Sequence, residues 1–567
     1  NLNFSDVVLD SPTNNWSSLN SLRINQQTQT FTEGNLKFAS SQSSTNPACV
    51  STFAVNSGKW YWEVLVVTAA NASNSVGIAT TTGDLEDDQY AGYQKDWAFS
   101  YQTDGNKRNN NSASSYGSSF TDGDIIAVML DLDNGNLYFR KNNTIQASGA
   151  AAFSSLSDTF TSYSIVYGGG AQVYNFGQEG SFLGAKAPQG NTDGNGVGNF
   201  FYAPPSGYLA LASSNLPDIT IGPGKSSQAD DFFDIILWTG NGTNAGDEQE
   251  IDGLSFTPDL VWTKGINAAR YNELHDSVRG ATKRVFSNET AAESDVATIK
   301  TFDSDGFTVA MGTGGQNGTN ANTTTHVGWC WKAGTAASGT ESGNNPAFSS
   351  SSNATAGFSI VSYTGTGAVG TVSHGCGAVP KLIICKNRDT TDNWAVYHSE
   401  TASDAETDYL ILNTNGAVAD SADWWNDTAP TSSVFTVATD DAVNTNNEKY
   451  IAYCFAEIVG YSKITSYIGN GSATKGTYVN LGFRPAFLFM KKTAGSAWTI
   501  IDSKQNPTNL STTTRLRADD PAVTDTAIHL DILSNGFKMY DTDLNGDGLL
   551  HIVYAIAETP FKFANAR

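Results

Sequence analysis

The string His275-Asp276-Ser277 brings together an imidazole, a carboxylate and a hydroxyl, the groups that acyl-transfer enzymes combine. Two later segments hold the same place in a repeated pattern and end in His398-Ser399 and Asp502-Ser503. A catalytic set would not change in this way among sister units of one chain. We therefore interpret the string as a turn at the end of a strand, and we predict that the protein is not an enzyme.

Residues 543–548 fit the first six positions of an oxygen-ligand calcium loop. The twelfth position is Tyr554 instead of glutamate, and a strand is predicted after the loop instead of a helix. Two interpretations stay open. Either calcium, the one cofactor that the sequence suggests, is bound by Asp543, Asn545 and Asp547, or the segment is a hairpin turn rich in Asx and Gly residues.

Other signals of chemistry are weaker. The acidic run 84–88 would need a second carboxylate across a cleft to cleave a glycosidic bond, and it reads as a solvated loop. The glycine-rich stretches 168–170 and 312–315 lack the Lys-Ser/Thr ending of a phosphate-binding loop. A polysaccharide-degrading spike remains an alternative, because an active site need not leave a sequence motif.

Two groups of residues are candidates for recognition without chemistry. Trp424 and Trp425 lie in a predicted polar loop and could stack on sugars, whereas residues 329–331 lie on a predicted strand and are interpreted as core. A second group lies in predicted loops near the N-terminus, at Tyr90 and Tyr93 and within segment 104–116, where the candidates are Lys107, Arg108 and Tyr116.

Charge and composition limit the partners. Asp and Glu outnumber Lys and Arg by 56 to 32, so the net charge of −24 disfavours nucleic acid and anionic membranes. No stretch approaches the roughly 20 apolar residues that span a bilayer. The five cysteines form no CxxC pair and are interpreted as buried thiols. Residue 1 is Asn, so we expect the natural start to lie upstream.

Short apolar segments bounded by Gly, Asn, Asp and Ser predict antiparallel strands at 60–67, 75–79 and 97–101. Asn134-Gly135 predicts a tight turn between strands 125–132 and 136–141. Residues 58–64, 76–79 and 123–128, followed by 137–142, resemble the SPRY family in order and spacing over about 14–186. The resemblance implies a β-sandwich that recognises partners through surface loops.

One plan recurs three times after residue 230. Each copy starts with a strand and a glycine turn and continues with a strand that follows Pro258, Pro380 or Pro485. Those strands close with aligned lysines, Lys264, Lys386 and Lys491. The second and third copies end alike, in 450–457 and 551–558. The repeated unit has the size of a domain.

We thus predict an all-β chain of tandem antiparallel β-sandwich domains, one SPRY-like and three mutually related. The predicted boundaries are a SPRY-like sandwich at 1–205, a linker at 206–230, repeats at 231–335, 356–460 and 461–567, and a second linker at 336–355.

Tandem modules behind a SPRY-like unit resemble structural proteins of marine bacteriophages. That resemblance implies a virion location, at the tail or particle surface, and a tail-fibre-like adhesin that binds a host-surface glycan or protein. Its partners would be a host receptor and other virion proteins, with a homotrimer suggested by analogy with phage fibres. The alternatives are the polysaccharide-degrading spike and a purely architectural virion component.

Overall fold

The computed structural model describes residues 14–25, 29–43, 45–83, 85, 95–242, 248–311, 318–509 and 512–560. The predicted Tyr90 and Tyr93 lie outside these residues. The chain divides into two compact units. The first comprises Asn1–Pro217, Ser472–Gly482 and Lys562–Arg567, and the second comprises Asp218–Gly471 and Phe483–Phe561.

The first unit is a sandwich of two sheets. Its strands are β1 (Leu19–Ile24), β2 (Gln29–Thr32), β3 (Lys37–Ser40), β4 (Ala48–Val55), β5 (Lys59–Thr68), β6 (Ser75–Thr80), β7 (Ala98–Gln102), β8 (Asn106–Asn109), β9 (Ser112–Ser115), β10 (Ile125–Asp131), β11 (Asn136–Lys141), β12 (Thr144–Ile145), β13 (Phe160–Ile165), β14 (Ala171–Asn175) and β15 (Leu209–Ala210). The sheet orders are β1-β4-β13-β6-β7-β8-β9 and β12-β11-β10-β5-β14-β3-β2.

The predicted hairpin is present, with β10 paired to β11 from Ile126↔Lys141 to Asp131↔Asn136. Gly135 has φ +62°, and a Cβ there would lie 2.9 Å from the carbonyl oxygen of Leu156, so the turn requires glycine. The side chains between the sheets include Trp62, Val128 and Phe139. They form the apolar core that holds the two sheets together.

The predicted linker at 206–230 is partly a strand of this first unit. β15 pairs in parallel with Trp60 and Tyr61 of β5. The ring of Phe200 meets that of Tyr61 edge to face at 5.0 Å. The segment around residue 210 therefore covers the outer face of the second sheet, and the first unit extends to Pro217, beyond the predicted boundary at 205.

The second unit contains the three repeats. The first has β16 (Phe233–Thr239), β17 (Gln249–Asp252), β18 (Leu260–Gly265), β19 (Glu273–Asp276), β20 (Lys283–Phe286), β21 (Ser294–Asp295), β22 (Ile299–Asp303), β23 (Gly306–Val309) and β24 (Thr325–Trp331). The next has β25 (Thr335–Gly339), β26 (Phe348–Asn353), β27 (Phe358–Thr364), β28 (Gly370–Ser373), β29 (Pro380–Asn387), β30 (Trp394–His398), β31 (Asp408–Ile411), β32 (Ala419–Asp420), β33 (Val434–Val437) and β34 (Lys449–Ala456).

The last repeat has β35 (Ser462–Ile468), β37 (Pro485–Lys492), β38 (Thr499–Asp502), β39 (Thr513–Arg517), β40 (Asp525–Ala527), β41 (Leu530–Leu533), β42 (Gly536–Met539) and β43 (Leu550–Ala557), while β36 (Thr477–Asn480) lies in the segment grouped with the first unit. The α-helices of the described residues are the single turns α1 (Ala422–Trp425) and α2 (Asp441–Asn444). Neither approaches the length and apolarity needed to cross a membrane.

The three repeats share one topology. Their main sheets contain the orders β16-β24-β18-β19-β20-β21, β27-β34-β29-β30-β31-β32 and β35-β43-β37-β38-β39-β40, and the second is extended by β26 and β25 beside β27. In each, the last strand lies between the first strand and the strand that contains or follows the proline. The predictions of an all-β chain and of one common repeat topology are confirmed.

The second predicted linker, at 336–355, is instead largely a hairpin. β25 and β26 pair from Thr335↔Ser352 to Gly339↔Phe348, and β26 continues the sheet by pairing with β27. The linker prediction failed because Ser and Gly are abundant here, whereas the backbone of an edge strand can pair whatever its side chains are.

The repeats also share a core, which the prediction of separate domains in a row did not include. Along β34, Ile451, Tyr453 and Phe455 belong to a cluster with residues of all three repeats, including Trp329 and Phe487. The alternate residues of β34, such as Cys454, face the core of their own sandwich. Because successive side chains of a strand point to opposite faces, each main sheet is buried on both sides.

Hydrogen bonds join the three repeats in a cycle, in which the second repeat donates to the first, the third to the second and the first to the third. The indole of Trp394 in the second repeat donates to the Phe286 carbonyl of the first at 2.8 Å. The indole of Trp498 in the third donates to the Ile411 carbonyl of the second at 2.8 Å. In the first repeat, Asn272 occupies the position equivalent to Trp394 and Trp498. Its side-chain amide donates to the Ala518 carbonyl of the third repeat at 2.7 Å.

Candidate functional site

The segment 104–116, predicted as a loop, is largely the hairpin of β8 and β9 at a sheet edge. Lys107 donates from Nζ to the carbonyl of Ala152 at 2.5 Å and lies over the ring of Phe153 at 5.3 Å. Arg108 donates from Nε to the side chain of Gln102 at 3.2 Å. Both predicted binding residues are partly exposed, and both contact their own domain.

Tyr116 is a core residue, so its prediction as a binding residue was wrong. It is 9% exposed, and its ring packs edge to face on Tyr101 at 5.5 Å and on Phe139 at 6.0 Å. Its hydroxyl accepts from the Phe139 amide at 3.3 Å. Burial raises the pKa of Tyr116 to about 12.

Trp424 and Trp425 are also buried, at 6% and 2% exposure, so the prediction of exposed stacking residues was wrong. They lie on α1, where Trp424 stacks on Tyr409 at 3.9 Å between ring centroids. Trp425 meets Tyr397 edge to face at 6.2 Å. The polar neighbours in the sequence mark the turn, while the indoles themselves fill the core of the second repeat.

The side chains of His275, Asp276 and Ser277 have separate partners. His275 contacts Glu273 and Thr298 inside the first repeat. Asp276 binds Arg279 at 2.5 Å and accepts from the Tyr453 hydroxyl at 2.8 Å. Ser277 donates to Asp259 at 2.5 Å. These side chains are therefore not arranged as a catalytic triad.

Asn545 has a structural role where a calcium ligand was predicted. Its side chain is fully buried, its Oδ1 accepts from the backbone amide of Asn470 at 3.1 Å, and its Nδ2 donates to the Asn470 side chain at 2.8 Å. The sister residue Asn444 accepts from the Thr366 amide at 2.8 Å, and Asn320 accepts from the Asn241 amide at 3.0 Å.

The resemblance to a calcium loop thus comes from an asparagine that holds the glycine turn in every repeat. Asp543 and Asp547 are exposed at the surface. Among the described residues, no group of three or more His, Cys, Asp and Glu side chains is placed to hold a metal. The buried contacts of Asn545 favour the hairpin-turn interpretation of residues 543–548 over a calcium site.

The first unit has a groove that the sequence did not reveal, with a volume of about 360 Å³. It lies where β6, β7 and β13 meet the loop before β13. We call this feature the aromatic groove, and it is lined by Thr80, Thr82, Asp96, Trp97, Phe99, Ser155, Leu156, Ser157, Asp158 and Phe160.

Partly exposed rings form the floor of the aromatic groove. Trp97 is held edge to face against Tyr163 at 6.2 Å, and Phe99 against Phe160 at 5.9 Å. A Cβ at Gly83 would lie 2.4 Å from the indole of Trp97, so this glycine leaves room for the ring. The rings are therefore fixed by packing before any ligand arrives.

The rim of the aromatic groove is polar. Asp96 and Asp158 are exposed carboxylates of its lining, and Thr82 and Ser157 add hydroxyl groups. Trp97 and Phe99 belong to a segment that the sequence predicted as a strand, whereas lining residues 155–158 come from a loop distant in sequence. A partly exposed aromatic pair with carboxylates beside it suits the recognition of a side chain better than catalysis.

Comparison with family models decides the affiliation of the second unit. Residues 228–560 match the family described as "Domain of unknown function (DUF7483)", and this match covers more than half of the chain. The chain belongs to the DUF7483 family. Residues 59–179 match the SPRY domain, which confirms the predicted SPRY-like unit. A SPRY-like sandwich suggests a protein-binding module.

Solved structures similar to the SPRY domain cover only part of the chain. The SPRY domain of human HERC1 is 19% identical, with 28% of this chain and 96% of that chain covered and a TM-score of 0.24. A human SPRY domain is 17% identical, covering 26% and 94%, with a TM-score of 0.21. The stonustoxin structure is 18% identical, covering 28% and 27%, with a TM-score of 0.24. No curated protein matches the chain.

The DUF7483 unit also buries one lysine per repeat at the junctions between repeats. Lys264 of the first repeat donates to the Asp520 carbonyl of the third at 2.5 Å. Lys386 of the second donates to the Thr290 carbonyl of the first at 3.1 Å. Lys491 of the third donates to a carbonyl of the second. These are the aligned lysines of the repeated sequence pattern.

Burial lowers the pKa of Lys264 to about 7 and those of Lys386 and Lys491 to about 8. The physical cause is the loss of hydration around a charged ammonium group. The lysines join neighbouring repeats, which gives them a structural reason to recur. Because these pKa values lie near neutral pH, the lysines lose their protons in the folded protein as the pH rises through this range. The stability of the DUF7483 unit should therefore change with pH.

Proposed function

We propose that this protein is a non-enzymatic adhesin on the surface of a virus particle, where its SPRY domain binds a protein of the host cell. The observation that carries the proposal is the aromatic groove. Its rings are partly exposed and held by packing, and they lie on a sandwich of the kind that suggests a protein-binding module.

The DUF7483 unit supports the proposed function because its three repeats form one stable folded unit. Its repeats share a core and exchange hydrogen bonds in a cycle, so no repeat can unfold without exposing apolar surface of the others. The virion assignment rests on the resemblance to phage structural proteins. Several copies on one particle would turn weak individual contacts into firm attachment, because linked binding events gain effective concentration.

A purified antibody fragment against the SPRY domain tests the location. We expect it to label intact virus particles in immunogold electron microscopy. Labelling of disrupted particles alone would contradict a surface adhesin and would favour an architectural component. Oligosaccharides released from host envelopes by the purified full chain would contradict the non-enzymatic part of the proposal and would favour the polysaccharide-degrading spike.

A further inference from the structure

We infer that the aromatic groove takes the arginine or lysine side chain of an extended peptide segment. This inference rests on the proposed function, because it names the chemistry of the partner that the same groove would bind. It commits to a positively charged protein segment and excludes an anionic glycan or a phosphorylated ligand.

Among the described residues that line the groove, the charged side chains are the exposed Asp96 and Asp158, and none is a lysine or arginine. Asp158 also accepts from the backbone amide of Thr159 at 2.6 Å through Oδ1. Lys95 is exposed and precedes Asp96 but does not line the groove. A cation that binds here would form a partly exposed ion pair with each carboxylate. A phosphate or sialic acid group would instead be repelled.

The floor of the groove suits a flat cation. A guanidinium or ammonium group over the face of a tryptophan or phenylalanine is attracted by the ring, and tryptophan attracts it most strongly. The SPRY domain already contains one cation–π contact, in which the ammonium of Lys107 lies 5.3 Å from the centre of the Phe153 ring. Phe153 in turn packs edge to face on Phe99 at 5.3 Å.

The size and the hydroxyl groups favour an extended segment. A volume of about 360 Å³ lies at the low end of the range for ligand pockets and admits one or two side chains. Thr82, Ser155 and Ser157 are at least partly exposed and offer hydroxyls to peptide backbone groups along the groove. The net charge of −24 attracts a basic segment at long range before it docks.

The test uses the full-length chain and a display library of random seven-residue peptides. We expect the selected peptides to carry arginine or lysine, and a synthetic copy of one of them to bind at least tenfold more tightly than the same peptide with glutamate in that place. Affinity should fall as salt rises, since partly exposed ion pairs are screened. Selected peptides without a positive residue would overturn the inference.

Variants assign the binding to the groove. Asp96→Asn combined with Asp158→Asn should weaken the basic peptide about tenfold while leaving the melting temperature within about 1 °C. Asp104→Asn is the matched control, because Asp104 follows β7 at the end opposite to Asp96 and asparagine can still accept from the Asn106 amide. Equal affinities of the double variant and this control would overturn the inference.

Gly83→Ala provides a second variant without a change of charge. The added Cβ would displace the Trp97 indole from its position, so the basic peptide should bind at least fivefold more weakly. Unchanged binding by a folded Gly83→Ala protein would contradict the role of the ring. The proposed function fails separately, if the full chain does not bind host cells at all. Loss of host binding in Trp97→Ala together with selection of uncharged peptides would reject only the inference about charge.

Discussion

Replacing Lys264 by methionine should change how the stability of the DUF7483 unit depends on pH. The side chain is 1% exposed, and its Nζ donates to Asn272 Oδ1 at 2.7 Å and to the Asp520 carbonyl at 2.5 Å. Burial lowers its pKa to about 7. The carboxylates of Asp519 and Asp520 act in the opposite direction without reversing this shift.

The sign follows from proton binding. An unfolded lysine has a pKa of about 10.4, so between roughly pH 7 and pH 10 the unfolded chain holds a proton that the folded chain has lost. The free energy of unfolding therefore rises with pH over this window, by at most about 1.4 kcal/mol per pH unit for one group. From pH 7.5 to 9.5 Lys264 should add about 2 kcal/mol of stability.

Urea unfolding of the full-length protein, followed by tryptophan fluorescence, measures the effect at pH 7.5 and at pH 9.5. Lys264→Met should lose about 2 kcal/mol relative to the wild type between the two pH values, because methionine cannot titrate. Lys386 and Lys491 titrate in both proteins and cancel in this difference.

Lys300→Met is the matched control, because Lys300 lies on β22 of the same repeat with 39% of its side chain exposed. Its difference from the wild type should be the same at both pH values. A Lys264→Met difference that is equally constant would refute the reasoning, since Lys264 would then hold its proton in the folded protein.

Three further outcomes are expected. Asn444→Ala should lower the free energy of unfolding by about 1–3 kcal/mol in urea titrations, because the partly buried backbone amide of Thr366 loses its acceptor. Trp424→Ala should cost about 3–5 kcal/mol by the same assay, because a large ring leaves the core beside Tyr409. Calcium and a chelator should give equal melting temperatures by calorimetry, because Asn545 Oδ1 already accepts from a backbone amide; a calcium-dependent shift would restore the calcium-loop interpretation.

The sequence predicted those features that depend on local pattern. The turn at Gly135, the strands after the prolines and the aligned lysines all follow from neighbours in the chain, and the structure places them as expected. The sequence also contains a signal of the core that the repeats share. Residues 551–557 are buried without interruption, and a strand that is apolar at successive positions is covered on both faces.

Other features could not be predicted because their parts are distant in sequence. Trp424 and Trp425 have polar neighbours, and only the folded chain brings Tyr409 and Tyr397 against them. The aromatic groove could not be predicted for the same reason. The sequence predicts Trp97 as part of a strand, and it becomes part of a candidate site only because the loop with Asp158 lines the same groove.

Binding of labelled full-length protein to host cells, measured by flow cytometry for the wild type and for Trp97→Ala, tests the central claim most directly. Trp97 lines the aromatic groove and is only partly buried, so the variant should keep a folded SPRY domain by circular dichroism. The account predicts that the wild type binds, that Trp97→Ala loses at least tenfold in bound fluorescence, and that the medium contains no released oligosaccharide. Equal binding by the two folded proteins, or release of oligosaccharide by the wild type, would contradict it.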